Sequence, residues 1–113
     1  MKKIEAFIKK HRLNDVIELL HNIDSLTGLS ISGICGLGRT RNPEGPVHII
    51  DNAYDDTEHV KIEVFCTDAL VETVASTILD GAHTGLRGDG KIYISSVEEA
   101  IRISTRERGE SAV

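Results

Sequence analysis

Two hydrophobic periods alternate along this chain, and their order restricts the possible folds more than any other feature. Apolar residues recur at every second position, the period of a half-buried strand, in four segments: 3–9, 29–35, 60–66 and 91–95. Apolar stripes with helical spacing separate the first strand from the second and the third from the fourth. The predicted order is therefore β-α-β-β-α-β, the ferredoxin-like arrangement of an α+β domain.

The ends of the predicted helices carry their own signals. The first apolar stripe reaches Ile23, and this helix should end before Thr27 and Gly28. Asp68 should cap the second helix, because a carboxylate accepts hydrogen bonds from the unpaired N–H groups of a first turn, and Gly81 should stop it. Ser96 and Glu99 have the spacing of a capping box, which predicts a short third helix that begins there.

Length and composition narrow the class of protein. A chain of 113 residues fits one domain, 1–113, and a subunit this small gains stability from oligomerisation. The formal net charge of -5 argues against binding to nucleic acid, which needs a basic face. The two cysteines lie in apolar runs and no apolar run reaches the length of a membrane span, so we expect a soluble cytoplasmic protein.

The segment 39–58 is too long for a simple connection between the second and third strands. It holds both prolines and the acidic residues Asp51, Asp55, Asp56 and Glu58. Loops longer than about 12–15 residues are usually functional or disordered. Length alone leaves two interpretations open, an extended hairpin tip and a loop that orders on contact with a protein partner.

A glycine loop, residues 84–91, joins the second helix to the fourth strand. Its sequence, Thr-Gly-Leu-Arg-Gly-Asp-Gly-Lys, lets the backbone turn its N–H groups inward as a nest for phosphate, and Lys91 adds a positive charge. It is not a Walker loop, because the order is helix, loop, strand and because Ile92 follows the lysine. Taken alone, such a loop is more often a plain turn.

Five stretches match the pattern of one known family in the right order: 1–6 (MKKIEA), 36–39 (GLGR), 60–63 (VKIE), 84–94 (TGLRGDGKIYI) and 97–103 (VEEAIRI). Through them the chain resembles the PII signal-transduction family from end to end. The resemblance implies a homotrimer of ferredoxin-like subunits that holds ADP or ATP in the clefts between neighbours. It also implies that residues 39–58 contact a protein target, which is a transporter or an enzyme. Any association with a membrane would be indirect, through a target that is itself a membrane protein.

The resemblance further assigns roles to individual residues. Those at the base of the long loop are Gly36, Gly38 and Arg39. Those near the adenosine are Ser30, Phe65 and Thr84. Those that hold the phosphates are Gly88, Asp89, Gly90 and Lys91, joined by Arg102 from the adjacent subunit in the C-terminal segment 102–113.

The chain also departs from the family's pattern. Ser104 replaces a phosphate-binding arginine, which reduces the expected advantage of ATP over ADP or AMP, and Arg106 could compensate from a different position. Thr40 and His59 stand where members that bind 2-oxoglutarate carry glutamine and lysine, so we do not expect 2-oxoglutarate sensing. Asn52 replaces the tyrosine that is modified in the family, so we expect no uridylylation or adenylylation.

Three other functions fit the sequence less well. For an enzyme, His83 and Asp89 are candidate acids or bases, but no motif pairs them with a nucleophile, and we predict no catalytic residues. A metal- or small-anion-responsive sensor, for example of bicarbonate, stays open because histidines and acids share the segment 48–59, although their spacing predicts no defined metal site. An RNA-binding domain of this fold is favoured least, because such domains stack bases on an aromatic platform that the predicted sheet lacks.

Overall fold

Four antiparallel strands form one sheet, and two helices pack against one of its faces. The computed structural model describes residues 1–35 and 59–113. The strands are β1 (Lys2–Lys9), β2 (Ser30–Ile34), β3 (His59–Cys66) and β4 (Lys91–Ser96), in the spatial order β2-β3-β1-β4. The helices are α1 (Leu13–His21) and α2 (Val71–Ala82). The predicted α+β class and the ferredoxin-like order of elements are confirmed.

The core lies between the sheet and the two helices. Strand β1 buries Ile4, Ala6 and Ile8, and its register places Ile4 beside Val64 and Ala6 beside Ile62 of β3. The helices cover these side chains with Val16, Leu20, Val74 and Ile78. Burial of each aliphatic side chain of this size is worth about 1.5–3 kcal/mol relative to exposure. The alternation seen in the sequence therefore fixes which face of β1 meets the helices.

The other face of the sheet carries charged and aromatic side chains. Lys3 and Glu5 of β1 form an ion pair of 2.9 Å, and Lys61 of β3 lies 3.9 Å from the same carboxylate. Phe7 interrupts this polar row, but its ring packs edge to face on Tyr93 of β4 with centroids 5.8 Å apart. Within the described part of the chain, no helix is long and apolar enough to cross a membrane.

The two helices approach each other closely at Gly81. A Cβ atom on Gly81 would lie 2.9 Å from Cγ2 of Val16 and 3.1 Å from Cδ1 of Leu19, both on α1. Helix α2 continues to Ala82 and ends because His83 takes an extended backbone conformation. The prediction that Gly81 stops the helix is therefore wrong, since this glycine serves the packing of α1 against α2.

The end of α1 agrees with the prediction, whereas the start of α2 does not. Helix α1 ends at His21, before Thr27 and Gly28, and the backbone N–H of Ile23 donates to the Leu20 carbonyl in the following turn at 3.0 Å. Asp68 does not cap α2, because its carboxylate pairs with the N-terminal ammonium of Met1 at 2.8 Å. A short 3-10 turn, Asp68–Leu70, leads into α2 instead.

The C-terminal segment forms a hairpin, residues 101–108, in place of the predicted third helix. The Val97 N–H donates to the Met1 carbonyl at 3.1 Å, which keeps the chain extended past the end of β4. An antiparallel bridge then joins Ile101 to Arg108. The prediction of a helix from the capping box is wrong, because these backbone hydrogen bonds hold the segment in a conformation that is not helical. Only a 3-10 turn, Glu110–Ala112, follows the hairpin.

Candidate functional site

The glycine loop lies beside the last residue of β1 and the first residue of β3. Gly88 has φ 80 and Gly90 has φ 98, in the region that side chains with a Cβ atom rarely adopt. A Cβ atom on Gly90 would lie 1.6 Å from the carbonyl oxygen of Phe7 in β1. Only glycine allows the backbone to pass this close, so the sequence of the loop fixes its place at the end of the sheet.

Asp89 holds the glycine loop together from inside. Its Oδ2 atom accepts hydrogen bonds from the backbone N–H groups of Thr84 at 2.9 Å and Gly85 at 3.0 Å. Its Oδ1 atom accepts from the Thr84 hydroxyl and lies 3.1 Å from Nζ of Lys9. The hydrogen bonds from the Thr84 hydroxyl and N–H hold the pKa of Asp89 well below its usual range, and those from Lys9 and Gly85 act in the same direction. The carboxylate is therefore ionised and fully engaged within the loop.

Lys9 and His59 connect the loop to the sheet. Nζ of Lys9 also donates to the Thr84 hydroxyl oxygen at 3.2 Å, and Nε2 of His59 lies 2.8 Å from the Gly88 carbonyl oxygen. A carbonyl oxygen can only accept, so Nε2 of His59 carries the proton in this contact. Neither contact could be predicted from local sequence, because both depend on the pairing of Lys9 with His59 across β1 and β3.

Donors remain available on the outer side of the loop. The backbone N–H groups of Arg87 and Gly88 have no hydrogen-bond partner among residues 1–35 and 59–113. The side chain of Lys91 is exposed and forms no ion pair with any described residue. Backbone N–H groups in such a turn, together with a neighbouring cation, are the usual means of holding a phosphate group. The loop is therefore suited to an anion.

A second group of candidate residues lies at the opposite end of the sheet. Ser30 of β2 and Phe65 of β3 line a cavity of about 520 Å³, to which Glu63, Ile101 and Val113 also contribute. Phe65 is 45% exposed. An exposed aromatic ring beside hydroxyl and carboxylate groups can hold a flat heterocycle by stacking and hydrogen bonding.

The two groups do not meet within one chain. The β1 and β3 register pairs Lys9 with His59 at the loop end and Lys3 with Phe65 at the cavity end, six residues apart. At about 3.3 Å per residue this separation is roughly 20 Å. Thr84, which was predicted beside Ser30 and Phe65, therefore lies far from them in the same subunit.

Arg102 lies on the cavity side of the molecule. It follows Ile101, which lines the cavity, and its Nη2 atom donates to the Ser111 carbonyl at 3.3 Å. Arg106 occupies the same hairpin with φ 64, and it is the one residue other than glycine with positive φ in the described ranges 1–35 and 59–113. Its N–H donates to the Arg102 carbonyl at 2.8 Å, so the two arginines share one tight turn.

Some predicted positions lie outside the described residues. These are Gly36, Gly38 and Arg39 and the whole of the proposed contact loop, the segment 39–58. Among the residues that the structure does describe, no cluster of three or more His, Cys, Asp or Glu side chains could hold a metal ion. Of the histidines and acids in 48–59, only His59 falls within the described ranges.

Comparison with known proteins decides the family. The family model described as nitrogen regulatory protein P-II matches residues 1–107. The chain belongs to the P-II family. It is 43% identical to the nitrogen regulatory protein P-II of Rhodospirillum rubrum and 41% identical to that of Azospirillum brasilense, over the full length of both chains in each case.

A solved P-II structure shares the fold. The crystal structure of Arabidopsis thaliana PII bound to citrate superposes with a TM-score of 0.77 at 32% identity, covering 99% of this chain and 91% of that one. This protein is thus a nitrogen regulatory signal protein of the P-II family, and the family resemblance drawn from the sequence is confirmed.

Proposed function

We propose that this P-II family protein binds an adenine nucleotide, ADP or ATP with AMP as a competitor, at clefts between the subunits of a homotrimer. It signals its occupancy to a protein target, a transporter or an enzyme, through residues 39–58. It acts in the cytoplasm as a regulatory protein, not as an enzyme. The single observation that carries this proposal is the glycine loop, whose interior is closed by Asp89 while its outer N–H groups and Lys91 stay available.

The geometry of one chain supports a site between subunits. The phosphate-suited loop and the cavity lined by Ser30 and Phe65 are separated by roughly 20 Å along β3, at about 3.3 Å per residue. A nucleotide that used both groups of one subunit would have to span the sheet. If a second copy brings its cavity end, with Arg102, to the glycine loop of the first, both groups can contact one nucleotide. In the proposed homotrimer, nucleotide binding would therefore depend on the assembly of the subunits.

His59 supports the proposal that 2-oxoglutarate is not a ligand. Its Nε2 atom is engaged by the Gly88 carbonyl at 2.8 Å. A lysine at this position would offer an ammonium group on a long, flexible side chain, whereas the shorter imidazole of His59 is already directed at a carbonyl oxygen. The side chain that would pair with a dicarboxylate is therefore occupied in holding the loop.

Isothermal titration calorimetry with ADP, ATP, AMP, 2-oxoglutarate and bicarbonate tests the proposal. We expect saturable binding of adenine nucleotides, with one site per subunit, and no binding of 2-oxoglutarate in the presence or absence of ATP and magnesium. Lys91→Ala should weaken ADP binding by about tenfold or more, since a hydrogen bond to a charged group is worth about 1.5–3 kcal/mol. Lys10→Ala is the matched control, because Lys10 is an exposed cation outside the loop.

Two outcomes would contradict the proposal. If the wild-type protein binds no adenine nucleotide, the proposed function is wrong. Bicarbonate binding in that case would favour the alternative of a small-anion sensor. Equal ADP affinity in folded wild-type and Lys91→Ala proteins would show that the glycine loop does not hold the phosphates.

A further inference from the structure

Four donors converge on the carboxylate of Asp89. The backbone N–H groups of Thr84 and Gly85 lie 2.9 and 3.0 Å from Oδ2, and the Thr84 hydroxyl and the Lys9 ammonium contact Oδ1. His83 completes the surroundings, with Nδ1 at 3.7 Å from Oδ2. Backbone N–H groups, a hydroxyl and an ammonium are the donors that proteins use to bind an external anion. Here they are directed to an anion of the chain itself.

We propose that Asp89 is a positioning residue whose carboxylate holds the glycine loop in its ligand-binding shape by acting as an internal anion, and that this carboxylate does not contact the nucleotide. This inference rests on the proposed nucleotide function and reassigns one residue within it. An ionised carboxylate has only acceptor sites, so it cannot hydrogen-bond an ionised phosphate and would repel it at close range. Both carboxylate oxygens already have two donors each.

The same contacts assign a supporting role to Lys9. Its side chain is 14% exposed, and its ammonium lies between the Asp89 carboxylate and the Thr84 hydroxyl oxygen. Its charge is therefore balanced within the loop, in contrast to Lys91, which forms no ion pair with the described residues. The net charge that the loop presents to an anion comes from Lys91 and Arg87.

These contacts are expected to order the glycine loop before the nucleotide binds. The Thr84 hydroxyl also accepts the Leu86 N–H at 3.1 Å, so the bonds to Asp89 extend to the first three residues of the loop. A loop that is ordered before the nucleotide arrives loses less conformational entropy on binding. Oδ2 must accept the two backbone N–H groups, and Oδ1 must accept the Thr84 hydroxyl and balance the Lys9 ammonium.

Two variants separate these requirements. Asp89→Asn keeps an oxygen that can accept the Thr84 and Gly85 N–H groups but replaces Oδ1 by an NH2 group, whereas Asp89→Ala removes every acceptor. Asp80→Ala is the control, because Asp80 is an exposed carboxylate of α2 outside the loop. Two measurements apply to each protein: hydrogen exchange of the Thr84 and Gly85 amides without ligand, and ADP affinity by calorimetry.

Asp89→Ala should lose about tenfold or more in amide protection and in ADP affinity, comparable to the loss of one charge-assisted hydrogen bond. Asp89→Asn should lose less than Asp89→Ala in both measurements, because its amide oxygen keeps the two hydrogen bonds to Oδ2 while its NH2 group cannot accept from the Thr84 hydroxyl or the Lys9 ammonium. If Asp89→Ala fails to fold, Asp89→Asn alone decides, since a positioning role predicts that it loses ADP affinity only to the extent that it loses amide protection.

The proposal is overturned if Asp89→Asn keeps its protected amides yet loses as much ADP affinity as Asp89→Ala. That result would mean that the charge itself acts on the ligand. It is also overturned if Asp89→Ala keeps wild-type amide protection. The exchange measurement needs no nucleotide, so it separates failure of this inference from failure of ADP binding in the wild-type protein.

Discussion

Replacing Gly90 by alanine should destabilise the fold far more than its exposed loop position suggests. Gly90 has φ 98, and a conformation with positive φ costs a residue with a Cβ atom about 1–2 kcal/mol. The new Cβ atom would also lie 1.6 Å from the carbonyl oxygen of Phe7, so β1 must move away from the start of β4. Adding the cost of overpacking, we expect a loss of more than about 3 kcal/mol in the free energy of unfolding.

Urea unfolding followed by circular dichroism, at equal subunit concentration for all proteins, measures this loss. Gly28→Ala is the matched control, because a Cβ atom on Gly28 meets nothing within 4 Å, and its effect should stay within about 0.5 kcal/mol. A Gly90→Ala protein within about 1 kcal/mol of wild type would refute the claim that the loop is fixed by its close contact with β1.

Three further predictions follow from single residues. Arg106→Gly should raise the free energy of unfolding by up to about 1 kcal/mol, because glycine adopts φ 64 without strain; destabilisation would mean that the arginine side chain stabilises the hairpin. The pKa of Asp89 is lower in the folded than in the unfolded protein, so the ionised carboxylate contributes its full stabilisation above about pH 4 and loses it as the pH falls further. When the pH is lowered below about 4, the urea midpoint of Asp89→Asn should therefore fall less than the urea midpoint of wild type. If the proposed nucleotide site is right, Ser104→Arg should strengthen ATP binding more than ADP binding in calorimetry, because the family resemblance assigns a phosphate-binding arginine to this position. An equal gain for both nucleotides would contradict this.

Periodicity predicted the strands and helices well because it records burial directly. The alternation of Ile4, Ala6 and Ile8 is the row that packs against the helices, so β1 was found with nearly its full length. The third helix was predicted from Ser96 and Glu99 alone, and a local motif contains no information about distant partners. The carbonyl of Met1, at the other end of the chain, decides the conformation there.

The sequence likewise predicted some features of the candidate site and not others. Glycine spacing and Lys91 marked the loop, since positive φ and exposed charge leave local traces in a sequence. The roles of Asp89 and Lys9 could not be read from spacing, because eighty residues separate them along the chain and only the sheet register brings them together. The separation of Thr84 from Phe65 likewise follows from the register of β1 and β3.

Mixed trimers test the central claim, a nucleotide site shared between subunits, most directly. Lys91→Ala removes one cation of the glycine loop and Arg102→Ala removes one cation at the cavity end, so each homotrimer should bind ADP weakly. In trimers formed from an equal mixture, a shared site is intact when an Arg102→Ala subunit supplies the loop and a Lys91→Ala subunit supplies the other half. Random assembly makes this true for about one site in four. We therefore predict wild-type ADP affinity at about a quarter of the sites, whereas no restored sites would place both residues in a site within one subunit and contradict the account.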